Sequence, residues 1–221
     1  MMPNMLEDLI RLRIPALNSA MSNYRVVSFG LGSDQQKLLS SEVERRIRQS
    51  NAILLRVVQL VSPAIDRALF TITEVVMHGT EAGQHALDES GDVTDEIWLL
   101  TEAFYWNAFR TLNIFWGEGI KIGNDRGLPG IGVKAKRKMG VCLVRNQLIE
   151  HPEMIGGSLS LGPYGSGPSI GSWSEHGVES ANSDLGLFTN ALEWISYVTK
   201  RLEVGVNTLS DRTNHSQEST N

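Results

Sequence analysis

Apolar side chains recur three and four residues apart along several long stretches of this 221-residue chain, and that spacing leaves few folds open. Val43, Ile47, Leu54, Val58 and Val61 share one face of a helix. Ile65, Leu69, Ile72 and Val76 resume the pattern after Pro63. Proline removes a helical hydrogen bond and crowds the turn before it, so a kink or break is expected at Pro63. Ser41 and Glu44 have the spacing of a capping box and mark the expected start of this helix. Residues 28–37, with Gly30, Gly32, Ser33 and Asp34, read as the loop before it. A shorter helix is expected over 5–14, capped by Asn4 and Glu7 and interrupted by Pro15.

A third helix is expected over about 95–117, where Asp92, Thr94, Asp95 and Glu96 place negative charge at its N-terminus. Trp98, Tyr105, Phe109, Leu112 and Trp116 form an aromatic stripe along it. Residues 117–132 read as loop, and a fourth helix is expected over about 133–150. Then the composition shifts. Residues 156–177 hold seven glycines, six serines and two prolines and form an extended insertion. The alternation Ser158-Leu159-Ser160-Leu161 is compatible with a short hairpin there. Leu185, Leu187, Phe188, Leu192, Ile195 and Leu202 define a last helix to about 206, and the polar residues 207–221 read as a disordered tail. The expected fold is all-α: a four- to five-helix bundle forming one domain over 1–206, with the glycine-rich excursion before its last helix.

A hydrophobic fraction of 41% and a charged fraction of 20% fit a globular domain. The net charge of -5 argues against a surface devoted wholly to nucleic acid, yet leaves room for local basic patches. The lone cysteine, Cys142, excludes an internal disulfide and sits among Val141, Leu143 and Val144 as a buried thiol. Residues 1–9 lack the pattern of a secretory signal. The longest apolar segment, 52–61, is broken by Arg56 and Gln59 and falls short of the roughly 20 residues a membrane helix needs. The expectation is a cytoplasmic protein with no membrane partner.

Chemistry concentrates in Arg145-Asn146-Gln147-Leu148-Ile149-Glu150-His151, followed by Pro152. Arginine presents a rigid fork of donors suited to phosphate, and histidine exchanges a proton near neutral pH. On a continuous helix, residues six apart point about 120° from each other and lie about 9 Å apart along the axis. Pro152 disfavours helical geometry at His151. The helix is therefore expected to end at Glu150 or His151, which frees the imidazole to swing toward Arg145. Asn146 and Glu150, four apart, share a face and are placed to fix the helix end.

Arg145, Asn146 and His151 resemble the Rx4–6H motif of the HEPN superfamily, in which a polar residue such as Asn often follows the arginine. The family fold is a four- to five-helix bundle. The resemblance implies a metal-independent endoribonuclease without a cofactor, of a toxin or defence system. It also implies a homodimer or higher homo-oligomer in which two motifs share one composite site. Other members of the family are inactive binding or assembly modules. The resemblance covers about eight residues closely and the rest only in architecture. The glycine-rich segment directly after the motif is a departure from compact members, which continue into helix.

Three other groups bear on this reading. Glu102 interrupts the aromatic stripe, either orienting Arg145 or reaching water from the stripe's edge. Lys134, Lys136, Arg137 and Lys138 form either an RNA-phosphate track or a solvated charged face. Glu74 and His78 share a helix face, but no further ligand completes a metal set. The glycine-rich stretch 162–168 lacks the GK[ST] ending of a phosphate loop. Two functions of different class remain: the endoribonuclease, and a non-catalytic helical interaction or assembly protein. A small-molecule pocket among Trp98, Tyr105, Trp106 and Trp116 is a third reading.

Overall fold

The structure is a computed structural model. It describes residues 5–31, 33–80, 91–116, 121–122, 125–126, 128, 131, 139–150, 155–160, 167–174, 177–179 and 186–218. Among them are five helices: α1 (Met5–Leu31), α2 (Asp34–His78), α3 (Gly91–Trp116), α4 (Gly140–Glu150) and α5 (Leu187–Glu218). The fold is all-α, with α1, α2, α3 and α5 as long staves and α4 as a short helix packed on α3 and α5.

The four long helices, α1, α2, α3 and α5, are longer than their local signals predict. α1 runs through Pro15 and α2 through Pro63. Both prolines are exposed, as are Arg11 and Gln59, whose carbonyls lose their helical donors, so each proline sits on the outer side of its helix rather than in the core. Burial outweighs the remaining cost. Ile10, Ile14, Leu17, Met21 and Tyr24 of α1 all lie in the core. Each large apolar side chain so buried contributes about 1.5–3 kcal/mol, against about 3 kcal/mol for an interior proline.

The expected loop over 28–37 shrinks for the same reason. α1 continues to Leu31, and α2 begins at Asp34. Its cap is Ser33, whose hydroxyl accepts from Gln36 N at 3.3 Å while the Gln36 side chain accepts from Ser33 N at 3.0 Å. Ser41 and Glu44, the expected capping box, are interior to α2. Ser41 donates back to the Lys37 carbonyl, and Glu44 pairs with Arg25 and Arg48. The partner Asn4 of the other expected capping box lies outside the described residues.

Cross-helix contacts give the directions. Asn18 meets Asn51 and Arg25 meets Glu44, so α1 and α2 are antiparallel. Arg46 meets Asn107 and Arg56 meets Glu96, so α2 and α3 are antiparallel too. Extrapolated along the axes, the first residues of α1 and α3 lie level with about residues 61–64 of α2. The last 14 or so residues of α2 extend past both neighbours, by about 20 Å.

The core is lined by Ile47, Leu54, Val58, Phe104, Tyr105, Leu112, Phe188, Trp194 and Val198, among others. The α3 stripe is rotated relative to expectation. Tyr105 and Leu112 are buried, but Trp98 and Phe109 are only partly so, and Ile97, Thr101, Phe104 and Ala108 take the centre of the face. α5 crosses α3 with the indole N–H of Trp194 donating to the Ala108 carbonyl at 3.2 Å and Asn190 donating to the Tyr105 hydroxyl at 2.9 Å. α5 also continues to Glu218, through residues expected to form a disordered tail.

The region expected to be loop between α3 and α4 contains a two-residue ribbon, β1 (Lys121–Ile122) with β2 (Asp125–Arg126). The glycine-rich insertion contains an antiparallel meander: β3 (Ile155–Ser160), β4 (Gly167–Ser174) and β5 (Gly177–Glu179), in that order. Leu159 pairs with Pro168 and Ser172 with both Ile155 and Glu179. Gly167 has φ of 78°, and a Cβ there would lie 2.7 Å from the Phe188 ring, so glycine is what lets β4 approach α5. Among the described residues no helix is long and apolar enough to cross a membrane.

Candidate functional site

α4 begins at Gly140, seven residues after its expected start, and the Lys134, Lys136, Arg137 and Lys138 run lies outside the described residues. Its N-terminus is anchored from α5. Glu193 accepts a hydrogen bond from Gly140 N at 3.1 Å, placing a carboxylate where the free N–H groups and the helix dipole favour one. The approach is close. A Cβ on Gly140 would lie 1.9 Å from Asn190 Oδ1, so only glycine fits. Val141, Cys142 and Val144 then bury against the bundle, while Leu143 faces solvent. Cys142 is a buried free thiol.

This seating fixes where Arg145 goes. It follows Val141 by one helical turn, and its guanidinium lies over two rings of α3. The guanidinium carbon is 4.2 Å from the centre of Phe109 and 5.5 Å from that of Trp106. Phe109 and Trp106 are three apart on α3, so their faces form one platform. Nη1 of Arg145 donates to Asn146 Oδ1 at 3.1 Å. Nε is buried and has no partner among the described residues. No carboxylate pairs with Arg145 among the described residues, where its charge meets two rings and one amide.

The other expected site residues divide. Asn146 stands beside Arg145 and uses its oxygen there. Glu150 is the last described residue of α4; its side chain lies outside the described residues, as does His151, so the expected release of the imidazole by Pro152 falls outside them too. Glu102 is exposed, and no hydrogen bond or ion pair joins it to Arg145 among the described residues. Of its two readings, the one at the stripe's edge, reaching water, matches the structure. Arg56 of α2 is engaged with Glu96 at 2.8 Å.

Glu74 and His78 lie 4.0 Å apart, and no cluster of three metal-ligating side chains occurs among the described residues. The expected aromatic pocket does not form around Tyr105, which is 1% exposed and packs edge-on against Phe104. Burial pushes its hydroxyl well above the ordinary tyrosine range.

Three contacts around the candidate site carry no signal in the local sequence: the Trp106–Phe109 platform, the Glu193 anchor and the Gly140–Asn190 approach. The i, i+3 spacing of Trp106 and Phe109 was visible, but nothing local says which cation sits on them. Compared with known protein families, characterised proteins and solved structures, the chain matches none.

Proposed function

We propose that the chain is a HEPN-like, metal-independent endoribonuclease, possessing a site built on Arg145 and His151. The observation that carries this reading is the un-neutralised guanidinium of Arg145, held on Phe109 and Trp106 without a carboxylate partner among the described residues. A structural arginine in a core normally has an acid beside it, because burying a bare charge is costly. An arginine braced on aromatic faces keeps its charge for an anion brought by a ligand.

In the proposed reaction His151 takes the proton from a ribose 2′-hydroxyl. The 2′-oxygen attacks the adjacent phosphorus and the bond to the 5′-oxygen breaks; the departing oxygen takes up a proton from water, leaving a 2′,3′-cyclic phosphate and a 5′-hydroxyl. Arg145 stabilises the charge that builds on the phosphoryl oxygens. Asn146 steadies the guanidinium, and Lys134, Lys136, Arg137 and Lys138 provide the RNA track. The family resemblance adds a homodimer in which two such motifs face one another. Incubation of the purified chain with mixed RNA in EDTA tests the reading. Cleavage that disappears in Arg145→Ala and His151→Ala supports it, and cleavage that persists in both sinks it.

The second reading, a non-catalytic assembly protein on the same fold, is favoured by a separate observation: the apolar side chains exposed on the projecting end of α2. The same RNA assay separates the two readings.

A further inference from the structure

The end of α2 beyond Pro63 is an apolar arm that buries Thr71 on one side and, on the other, has no neighbour among the described residues. Leu69, Phe70, Ile72, Val75, Val76 and Met77 are all exposed there, Val76 by 75% and Met77 by 69%. Together these six expose an apolar surface at the upper end of the ~300–600 Å2 of the largest patch on a monomer, a size that is often functional. A standard stable interface takes ~800 Å2 from each partner, so the arm supplies a large part of one.

The arm has a seam. Ile65, Leu69, Ile72 and Val76 are spaced four, three and four residues apart, the alternation of a coiled-coil stripe. Ile65 is partly buried against the core, and the seam runs from it outward. The charged side chains Asp66, Arg67 and Glu74 lie off that line. The seam is also its own complement when reversed. With a two-fold axis between Phe70 and Thr71, Leu69 of one copy lies level with Ile72 of the other, and Ile65 with Val76. An isologous contact requires this self-matching, and an unrelated partner does not.

We infer that the arm of α2 is an interface for a second copy of this chain, packed antiparallel through Ile65, Leu69, Ile72 and Val76. This inference does not rest on the nuclease reading. Trp106 and Phe109, under Arg145, lie level with about residues 43–47 of α2. The crossing point is thus about 35–40 Å from Arg145, and the two Arg145 residues of such a pair are about 75 Å apart. The arm contact is therefore separate from any motif-to-motif contact, and the two together generate an assembly larger than a dimer.

Sedimentation of the full chain from 1 to 100 µM, in wild type and in Leu69→Glu/Ile72→Glu, tests the interface (concentrations are on the order of ordinary weak-to-moderate association). Both positions are half exposed, so the double variant is expected to keep the wild-type helical signal and melting temperature while its assembly mass falls by half. A wild type monomeric throughout that range, or a mass unchanged by the double variant, overturns the inference. Register is read from disulfides, since the resident Cys142 is buried. Leu69→Cys/Ile72→Cys is expected to link two copies at least tenfold faster than either single variant. Equal linkage by Leu69→Cys alone indicates a parallel pair and overturns the antiparallel arrangement. A chain that self-associates through the arm but cleaves no RNA breaks the nuclease reading and leaves this one standing.

Discussion

Two arginines, Arg46 on α2 and Arg145 on α4, meet the same physical problem in different ways. Arg46 has only 13% of its side chain exposed. Its Nη2 pairs with Glu42 at 2.5 Å and its Nη1 donates to Asn107 at 3.3 Å. The partnership with Arg45 and Arg46 holds the Glu42 carboxyl below the usual range, Arg45 being the larger influence. Arg145 has two aromatic faces and one neighbouring amide instead. Arg46 is neutralised within α2 by Glu42 and reaches across to α3 through Asn107, which leaves it little attraction for a ligand. An arginine supported by ring quadrupoles retains its positive field. On the proposed reading, the difference separates a cation used for architecture from one used for recognition.

The largest expected effect comes from deleting the available cation. Arg145→Ala is expected to lower metal-independent RNA cleavage at least ~100-fold while changing stability by only about 1 kcal/mol, because the charge-stabilising donor is lost without stranding an acid. Initial rates in EDTA, set beside a urea melt, check both halves. A large stability loss with unchanged cleavage would put Arg145 in the same class as Arg46.

Alkaline pH probes the two halves of the molecule separately. Tyr24 lies in the α1–α2 half and Tyr105 under α4 and α5, and burial raises both hydroxyls above the ordinary value of 10.0. The unfolded tyrosines ionise first, so the unfolded state holds fewer protons once pH passes about 10, and stability then falls as pH rises. Below that pH both states are protonated and the full stability is present. Each tyrosine removes about 1.4 kcal/mol per pH unit. Tyr24→Phe is expected to halve the slope of urea-melt stability against pH between 10 and 12. An unchanged slope would show that Tyr24 is not protected by burial.

Arg46→Met gives the reverse of the first result. It is expected to cost about 1–2 kcal/mol in a urea melt, less than a fully buried pair because Glu42 is 32% exposed, with cleavage unaltered. Phe109→Leu is the smallest and most discriminating change. Half of the ring platform is lost while the apolar volume is roughly kept, and cleavage is expected to fall about three- to tenfold with no change in pH profile. Rescue of the rate by Phe109→Tyr distinguishes a ring effect from a packing one.

Much of the fold was legible because helical burial repeats locally. Val43, Ile47, Leu54, Val58 and Val61 form one face in the sequence and are buried in the structure. The ends and interruptions were harder to read. Ser33–Gln36 and Ser41–Glu44 both present a capping pattern, and only the packing of α1 on α2 decides that Glu44 belongs inside a helix, between Arg25 and Arg48. Pro15 and Pro63 look like breaks because local rules do not know that each ring faces water. At the site, the helix end expected from Pro152 falls at His151 and Pro152, outside the described residues. The direction of Glu102 was not legible, since it depends on the rotation of α3 about its axis.

The sequence by itself determined the all-α class and the apolar faces. Each of those depends on contacts within about one or two helical turns. Tertiary structure alone decided that Glu193 anchors α4, that Gly140 abuts Asn190, and that Arg145 rests on Phe109 and Trp106. Those contacts join residues tens of positions apart, and their geometry is set by how whole helices cross, a property of the packed core that no local spacing encodes.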